Sequence, residues 1–225
     1  MDFAADYFSF HDILAATALP SPDQSGLGQE NTLRLSDPTI ESLAGCSAGL
    51  LDLIDKISKL ASTEGAAPAF EDRHRQRNVI EKRLIELSEP ALDLEDEKAV
   101  ILETKRLAAL IYLYSRIDNA GPHEPQIGRL SQRILELMPQ IAFRTNALLW
   151  PLFIVATLGL QPDCDEERMF ILERLSSLQN ARQLGNVKKA RKVIEDVWKA
   201  RDLSRVEAVK GWTILRDNHG TVSLA

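Results

Sequence analysis

The chain has 225 residues, and its 27 Lys+Arg against 33 Asp+Glu give a formal net charge of −6. This length suits one domain of ordinary size. The negative charge argues against a self-sufficient nucleic-acid binder, which needs positive charge to displace counterions from phosphates. Only Cys46 and Cys164 are present, which excludes a disulfide framework and a cysteine-based metal cluster. Leu is far more frequent than Val, which favours helices over sheets.

The N-terminal part, residues 1–36, is predicted to hold a helical segment and a linker. Residues 7–18 can form about three helical turns, and Pro20 and Pro22 then end the helix. Residues 19–36 are rich in Ser, Pro, Gly, Gln and Asn, as surface linkers are. Residues 37–225 are predicted to form one helical domain, with Asp37 as its first N-cap and Pro38 at the first helical position.

After the helix that begins at Pro38, four more helices are predicted in the first half of this domain. The first is an amphipathic helix whose apolar residues recur at three- and four-residue spacing: Leu50, Leu53, Ile54, Ile57 and Leu60. The second covers residues 71–87, with Ile80, Leu84 and Leu87 on one face and its basic residues largely outside. A long helix at about 95–118 and a helix at 125–138, closed by Pro139, follow.

The most apolar part of the chain, residues 147–160, is predicted to be the central core helix. Its fourteen residues fall short of the roughly 20 needed to span a bilayer, and Pro151 is predicted to kink it. Three more helices are predicted at about 163–183, 187–202 and 206–218. Because no alternating apolar run occurs, the expected fold is all-α: an irregular bundle of about eight or nine helices with a kinked apolar central helix.

The sequence carries no recognisable enzyme or cofactor signature. Walker and dinucleotide fingerprints are absent, and the four histidines are too far apart for a zinc-protease spacing. Cys164 lies among carboxylates, which should raise its thiol pKa and disfavour a nucleophilic role. Cys46 is interpreted as a small buried cysteine. We therefore expect no catalytic residues, no cofactor and no metal.

Lys188, Lys189, Arg191 and Lys192 form a basic cluster. Such a cluster is typical of a nuclear localisation signal or a phosphate-binding patch. The alternative, which we favour, is a solvated helix face opposite the apolar residues Val187, Ala190, Ile194 and Val197. A second basic stretch, residues 73–83, is interleaved with acidic residues, and neither stretch carries an aromatic platform for stacking bases.

Large aromatic residues are concentrated in the last third of the chain. Trp150, Phe153, Trp198 and Trp212 are candidate walls of a pocket for an apolar ligand or a partner. The alternative interpretation, which we favour, is simple core packing.

Short segments in a fixed order give the sequence a family resemblance. The second half contains WPLFI (150–154), ER (167–168), QLGNV (183–187), VW (197–198), RD (201–202) and WTILRD (212–217). The first half contains FSFHDILAAT (8–17), GCSAGLL (45–51), ISKLA (57–61) and ALIYL (109–113). In this order and at helical spacing, the segments resemble the fungal-specific transcription factor domain, the effector or regulatory region that usually follows a six-cysteine zinc-cluster DNA-binding domain.

The resemblance implies an all-helical regulatory domain of a nuclear fungal protein that controls transcription, with no catalytic residues. The family's DNA-binding module needs six cysteines for two zinc ions, and two cysteines are present. We therefore expect no direct DNA reading by this chain, which is either the regulatory portion of a longer factor or a protein that works through partners.

Three functions remain open. The first is an effector domain that acts by contact with a transcriptional co-regulator or a dimer partner, with no membrane association. The second is a module that controls transcription by sensing a small hydrophobic ligand. The third, remote from the resemblance, is an enzyme of unrecognised type.

Overall fold

The computed structural model describes residues 13, 14, 17, 47–62, 70–87, 96–142, 146–182 and 185–203. Seven α-helices lie in this part of the chain: α1 (Ala48–Ser62), α2 (Phe70–Glu86), α3 (Glu97–Ile117), α4 (Pro125–Leu137), α5 (Leu149–Ile154), α6 (Asp165–Arg182) and α7 (Gly185–Leu203). No strand occurs among these residues, so the predicted all-α class is confirmed. The predicted helix at 206–218 and most of the one at 7–18 lie outside the described residues. The division at residue 36 stays a prediction.

Helix α1 forms because its apolar residues fall on one face. Leu50, Leu53, Ile54, Ile57 and Leu60 are all buried, as their spacing predicted. Helix α2 follows the same rule more weakly, since its inner face consists mainly of Ile80 and Leu84. Both helices pack against α3, and α1 also packs against α2. The three helices therefore contact one another pairwise around a shared core.

Helix α3 is the element around which the others are arranged, because it packs against α1, α2, α4 and α5. Asp96 caps its N-terminus, where the Asp96 carboxylate accepts a 3.0 Å hydrogen bond from the backbone N–H of Lys98. The helix ends at Ile117 with Asp118 as its C-cap, and Asn119 then adopts a left-handed conformation with φ 58°. Asn tolerates this conformation better than other residues with a side chain.

An ion-pair network joins α2 to the C-terminal end of α3. The Arg77 guanidinium donates hydrogen bonds to both carboxylate oxygens of Asp118, at 2.6–3.0 Å, and also pairs with Glu81. The Tyr114 hydroxyl donates to Glu81 at 2.7 Å, and the Arg77 guanidinium lies 5.4 Å from the Tyr114 ring centre. The pKa of Tyr114 is raised to about 12, mainly by burial and next by its hydrogen bond to Glu81. The basic residues of α2 were predicted to lie largely outside, but Arg77 is mostly buried in this network.

The apolar segment predicted as the central helix is irregular. A 3₁₀-helix (Asn146–Leu148) leads into α5, and a π-helical segment (Val155–Gly159) continues from it. All residues from Leu148 to Leu160 are buried, so the predicted core position is confirmed. The predicted kink at Pro151 is not shown. Pro151 lies in the first turn of α5, where a missing N–H removes no α-helical hydrogen bond.

Helix α4 passes very close to the end of the π-helical segment. The Ser131 hydroxyl on α4 donates a 3.3 Å hydrogen bond to the Gly159 carbonyl, and a Cβ atom at Gly159 would lie 2.2 Å from the Ser131 Oγ. This close approach favours glycine, because a Cβ atom at this position would push against Ser131. None of the described helices combines the length and the apolar character needed to cross a membrane.

Candidate functional site

The aromatic residues predicted as pocket walls are part of the core. Trp150 is 1 % exposed, Phe153 is fully buried and Trp198 is 6 % exposed. The Trp150 indole N–H donates to the Thr17 hydroxyl at 2.7 Å, and the Trp198 indole N–H donates to the Ala156 carbonyl at 2.8 Å. All three belong to one hydrophobic cluster. Trp212 lies outside the described residues.

Trp198 and Arg201 of α7 bind the carbonyl groups of the π-helical segment and its C-terminal flank. Trp198 reaches Ala156, and Arg201, one turn later, donates to the carbonyls of Thr157 at 2.6 Å and Leu160 at 3.2 Å. A π-helical segment disturbs the regular helical bonding pattern, and its end leaves carbonyl groups that need other donors. Two side chains of α7 thus supply donors to three carbonyl groups of the most apolar segment.

The charge of Arg201 is held in an unfavourable environment. The pKa of Arg201 is lowered to about 10. Burial is the largest cause, and the nearby Arg168 guanidinium is the next. Arg168, on α6, forms two hydrogen bonds with the Asp202 carboxylate at 2.8 and 3.0 Å. The Arg168 guanidinium also lies over the Trp198 ring, 5.2 Å from its centre. These contacts bind α6 and α7 to each other and α7 to the π-helical segment.

These contacts give a structural role to segments that the family resemblance had singled out. Residues 167–168, 197–198 and 201–202 supply Arg168, Trp198, Arg201 and Asp202, which meet at the junction of α6, α7 and the π-helical segment. The order of the segments in the sequence was visible, but no local pattern indicated that α7 would donate hydrogen bonds to residues about forty positions earlier.

A buried arginine has a similar role at the end of α4. Arg174 of α6 is 1 % exposed, and its Nη2 donates to the carbonyls of Met138 and, at 2.9 Å, Ile141. Burial lowers its pKa. Arg174 therefore supplies donors to a helix end instead of presenting its charge to solvent.

The predicted nuclear localisation cluster lies on the outer face of α7. Lys188, Lys189 and Lys192 are exposed, whereas Arg191 is half-buried and forms hydrogen bonds with Glu195 at 2.8 Å and Ser176 at 3.0 Å. The apolar residues predicted opposite them are buried: Val187, Ala190, Ile194 and Val197. The predicted helix faces are thus present, and the signalling role of the cluster stays a prediction.

The described residues contain no group of His, Cys, Asp and Glu side chains able to hold a metal ion. The pKa of the Cys164 thiol is raised, as its acidic neighbours suggested, but burial is the largest cause, ahead of Glu167 and Asp163. A raised thiol pKa disfavours a nucleophile. Cys46 lies outside the described residues.

A groove between α1 and α2, which sequence reasoning missed, is a concave surface in the described part of the chain. Its volume is about 600 Å³. Its apolar lining comes from Leu53 and Leu60 of α1 and from Val79 and Ile80 of α2. Its polar lining consists of the Gln76 amide and four basic side chains: Lys56, Lys59, Arg75 and Arg83. A local sign in the sequence is Val79, an apolar residue in a helix rich in charged residues, and it is 49 % exposed.

The helices of the described residues, with their hydrogen-bonded aromatic core and an open apolar groove, have the features of a regulatory or binding domain. The family model of the fungal specific transcription factor domain matches residues 1–222. The chain belongs to this family, and it is a transcription factor regulatory domain, not an enzyme. No curated protein and no solved structure matches it.

Proposed function

We propose that this regulatory domain controls transcription through protein contacts in the nucleus and not by reading DNA directly. The observation that carries the proposal is the groove between α1 and α2, where half-exposed Val79 extends an apolar lining to the surface. Apolar side chains in a concave surface rimmed by polar groups are typical of interaction sites. The net charge of −6 opposes non-specific binding to phosphates.

The test is a reporter assay in which the full chain is fused to a heterologous DNA-binding domain. We expect the fusion to change reporter expression relative to that DNA-binding domain alone, because an effector domain recruits its partners wherever it is tethered. A fusion that is present in the nucleus at normal levels and leaves expression unchanged would contradict the proposal. Tight, sequence-selective DNA binding by the unfused chain would contradict it as well.

The nuclear location rests on the family, and the exposed lysines of α7 are the candidate import signal to be tested against the favoured alternative of a solvated helix face. Replacing Lys188, Lys189 and Lys192 by Ala should shift a fluorescent fusion from the nucleus to the cytoplasm if they form the localisation signal. The matched control replaces Lys82 and Lys98, which are also exposed lysines on helices. Equal nuclear fluorescence in all variants would show that these lysines are not required for import.

Sensing of a small hydrophobic ligand is the second proposal, and it has less support. Trp150, Phe153 and Trp198 are buried, and both indole N–H groups already have acceptors. An apolar effector there would have to displace packed side chains, which costs stability. A ligand that binds only the folded state at a hundredfold excess over its Kd would raise the free energy of unfolding by about 2.7 kcal/mol. A thermal-shift screen of apolar metabolites therefore tests this role directly.

A further inference from the structure

We infer that the groove between α1 and α2 binds a short, acidic, amphipathic helix of a partner protein. The inference rests on the proposed function, because it names the surface and the chemical class of the partner through which the domain would act. It is carried by three properties of the groove: its apolar lining, the sign of the charges that rim it, and its length.

The lining offers apolar surface that the domain itself does not cover fully. Leu53, Leu60 and Ile80 are each 3–5 % exposed, so they form a firm floor that is part of the core. Val79 is 49 % exposed beside them. A helix that places apolar side chains on this floor would remove the exposed part of Val79 from water, which favours binding.

The charged lining has one sign. Four side chains at the groove are basic, and none is acidic: Lys56, Lys59, Arg75 and Arg83. Three of them form intrahelical ion pairs with acidic residues that do not line the groove: Asp52, Asp55 and Asp72. Exposed ion pairs of this kind contribute little to the stability of the fold. These cations can therefore turn to carboxylates of a partner with little loss of stability. Arg83 is exposed and has no ion pair with any described residue.

The charge of the whole chain does not oppose this assignment. The net charge of −6 is spread over the protein, and salt at physiological ionic strength screens exposed charges beyond about 8 Å. The charges near the groove therefore decide which ligand is favoured, and when the three paired aspartates are counted against the four cations an excess of one positive charge remains. By contrast, a shallow concavity on α6 is lined by Asp165, Glu166 and Glu173 beside Met169 and would repel an acidic helix. The two surfaces thus differ in the sign of the partner that they favour.

The length of the groove limits the partner to a short segment. On α2 the lining runs from Arg75 to Arg83, which corresponds to about 12 Å at 1.5 Å per residue. This distance fits roughly two turns of a docked helix, with apolar residues at i, i+3, i+4 and i+7 facing the floor and carboxylates at both sides. A long helix or an extended interface is not needed.

The test measures binding of a fluorescein-labelled peptide to the full chain by fluorescence polarisation. The probe peptide has Leu at i, i+3, i+4 and i+7 and Glu at most other positions, and a matched peptide has Lys in place of every Glu. We expect the Glu peptide to bind, to bind more tightly than the Lys peptide, and to weaken as NaCl is raised, because screening reduces the attraction to the basic rim.

Variants in the groove and matched variants outside it locate the site. Val79→Asp and Arg83→Glu should each weaken binding of the Glu peptide by about tenfold or more, because each places a carboxylate against the acidic ligand. Ile85→Asp and Lys82→Glu are the controls, since Ile85 is 55 % exposed and Lys82 is exposed on the same helix, and neither lines the groove. The controls should change affinity by less than about twofold.

Several outcomes would overturn the inference. The first is that the Glu peptide does not bind to the wild-type chain. The second is that the Lys peptide binds to the same groove with the same affinity as the Glu peptide. The third is that the groove variants and the control variants lose the same amount of affinity for the Glu peptide. A wild-type dimer in sedimentation analysis that Val79→Asp converts to a monomer would instead assign the groove to a second copy of this chain.

The reporter assay separates this inference from the proposed function. A tethered domain that changes expression equally well with Val79→Asp, and that does not bind the Glu peptide, keeps its proposed function and loses this binding site. A domain that binds the Glu peptide in the groove but has no effect on the reporter keeps the site and loses the function.

Discussion

The contact between Gly159 and Ser131 gives the sharpest stability prediction. Replacing Gly159 by Ala adds a Cβ atom 2.2 Å from the Ser131 Oγ, 3.2 Å from the Ser131 Cβ and 3.8 Å from the Ile111 Cδ1. Gly159 has no left-handed backbone conformation, so the added methyl group strains no φ angle. The substitution therefore isolates the close packing of α4 on the π-helical segment.

The magnitude follows from the two shortest distances. The hydroxyl of Ser131 can rotate away, but it then loses its bond to the Gly159 carbonyl, and the 3.2 Å contact with Cβ remains. Overpacking of this kind costs about 1–3 kcal/mol, and the loss of glycine from the unfolded chain returns about 0.4–1 kcal/mol. We expect a net loss of about 1–2 kcal/mol, which lowers Tm by about 2–8 °C in a domain of this size.

Thermal and urea unfolding followed by circular dichroism measure this loss. Gly128→Ala on α4 is the matched control, because its added Cβ has no atom within 4 Å and should stabilise the helix by about 0.5–1 kcal/mol. Adding Ser131→Ala to Gly159→Ala should recover part of the loss, because it removes the closest atom. The reasoning would be refuted by a Gly159→Ala protein as stable as the wild type, or by strictly additive effects in the double variant.

Three further predictions concern hydrogen bonds and pH. Thr17→Val should reduce the free energy of unfolding in urea by about 1–3 kcal/mol, because the buried Trp150 indole N–H loses its acceptor. Thr17→Ser keeps the hydroxyl and should therefore lose less stability. Equal stability of the Val and Ser variants would count against this hydrogen bond. In the same assay, Trp198→Phe should reduce the free energy of unfolding by at least about 1–3 kcal/mol, because the Ala156 carbonyl loses its donor. The control Lys199→Ala, at an exposed position, should change the free energy of unfolding by less than about 0.5 kcal/mol. The pKa of Tyr114 is raised in the folded state to about 12 from its ordinary value of about 10, so the folded state holds the proton more tightly. Its contribution to stability is therefore complete below pH 10 and is lost as the pH rises towards 12. In urea unfolding at increasing pH, the free energy of unfolding of Tyr114→Phe should fall less over this window than that of the wild type. Parallel pH profiles of the two proteins would contradict the assignment.

Local sequence patterns determined the helices well because helix periodicity is a property of neighbouring residues. The spacing of Leu50, Ile54 and Ile57 fixed both the position of α1 and its buried face. Pro139 was expected to close the helix at 125–138, and α4 does end at Leu137, followed by a 3₁₀ turn. The resemblance carried by ordered short segments identified the family, which the match over residues 1–222 confirms.

The same local rules failed where a residue serves a distant part of the chain. The kink predicted at Pro151 is not shown, and Pro151 lies in the first turn of α5, where its missing N–H removes no α-helical hydrogen bond. No local pattern indicated that Arg174 and Arg201 would be buried, yet both are buried and donate to carbonyl groups at the ends of other helical segments. A sequence pattern shows which residues are polar, and it does not show which of them will find a buried partner.

The sequence by itself therefore determined the helical class, the buried faces of single helices, the acidic balance and the family. Only the tertiary structure decided that Trp198 and Arg201 complete the π-helical segment, and that Val79 and Arg83 line a groove with residues of α1. The physical reason is that a helix face is set by residues three or four positions apart, whereas a groove or a capped helix end requires two separate elements to meet.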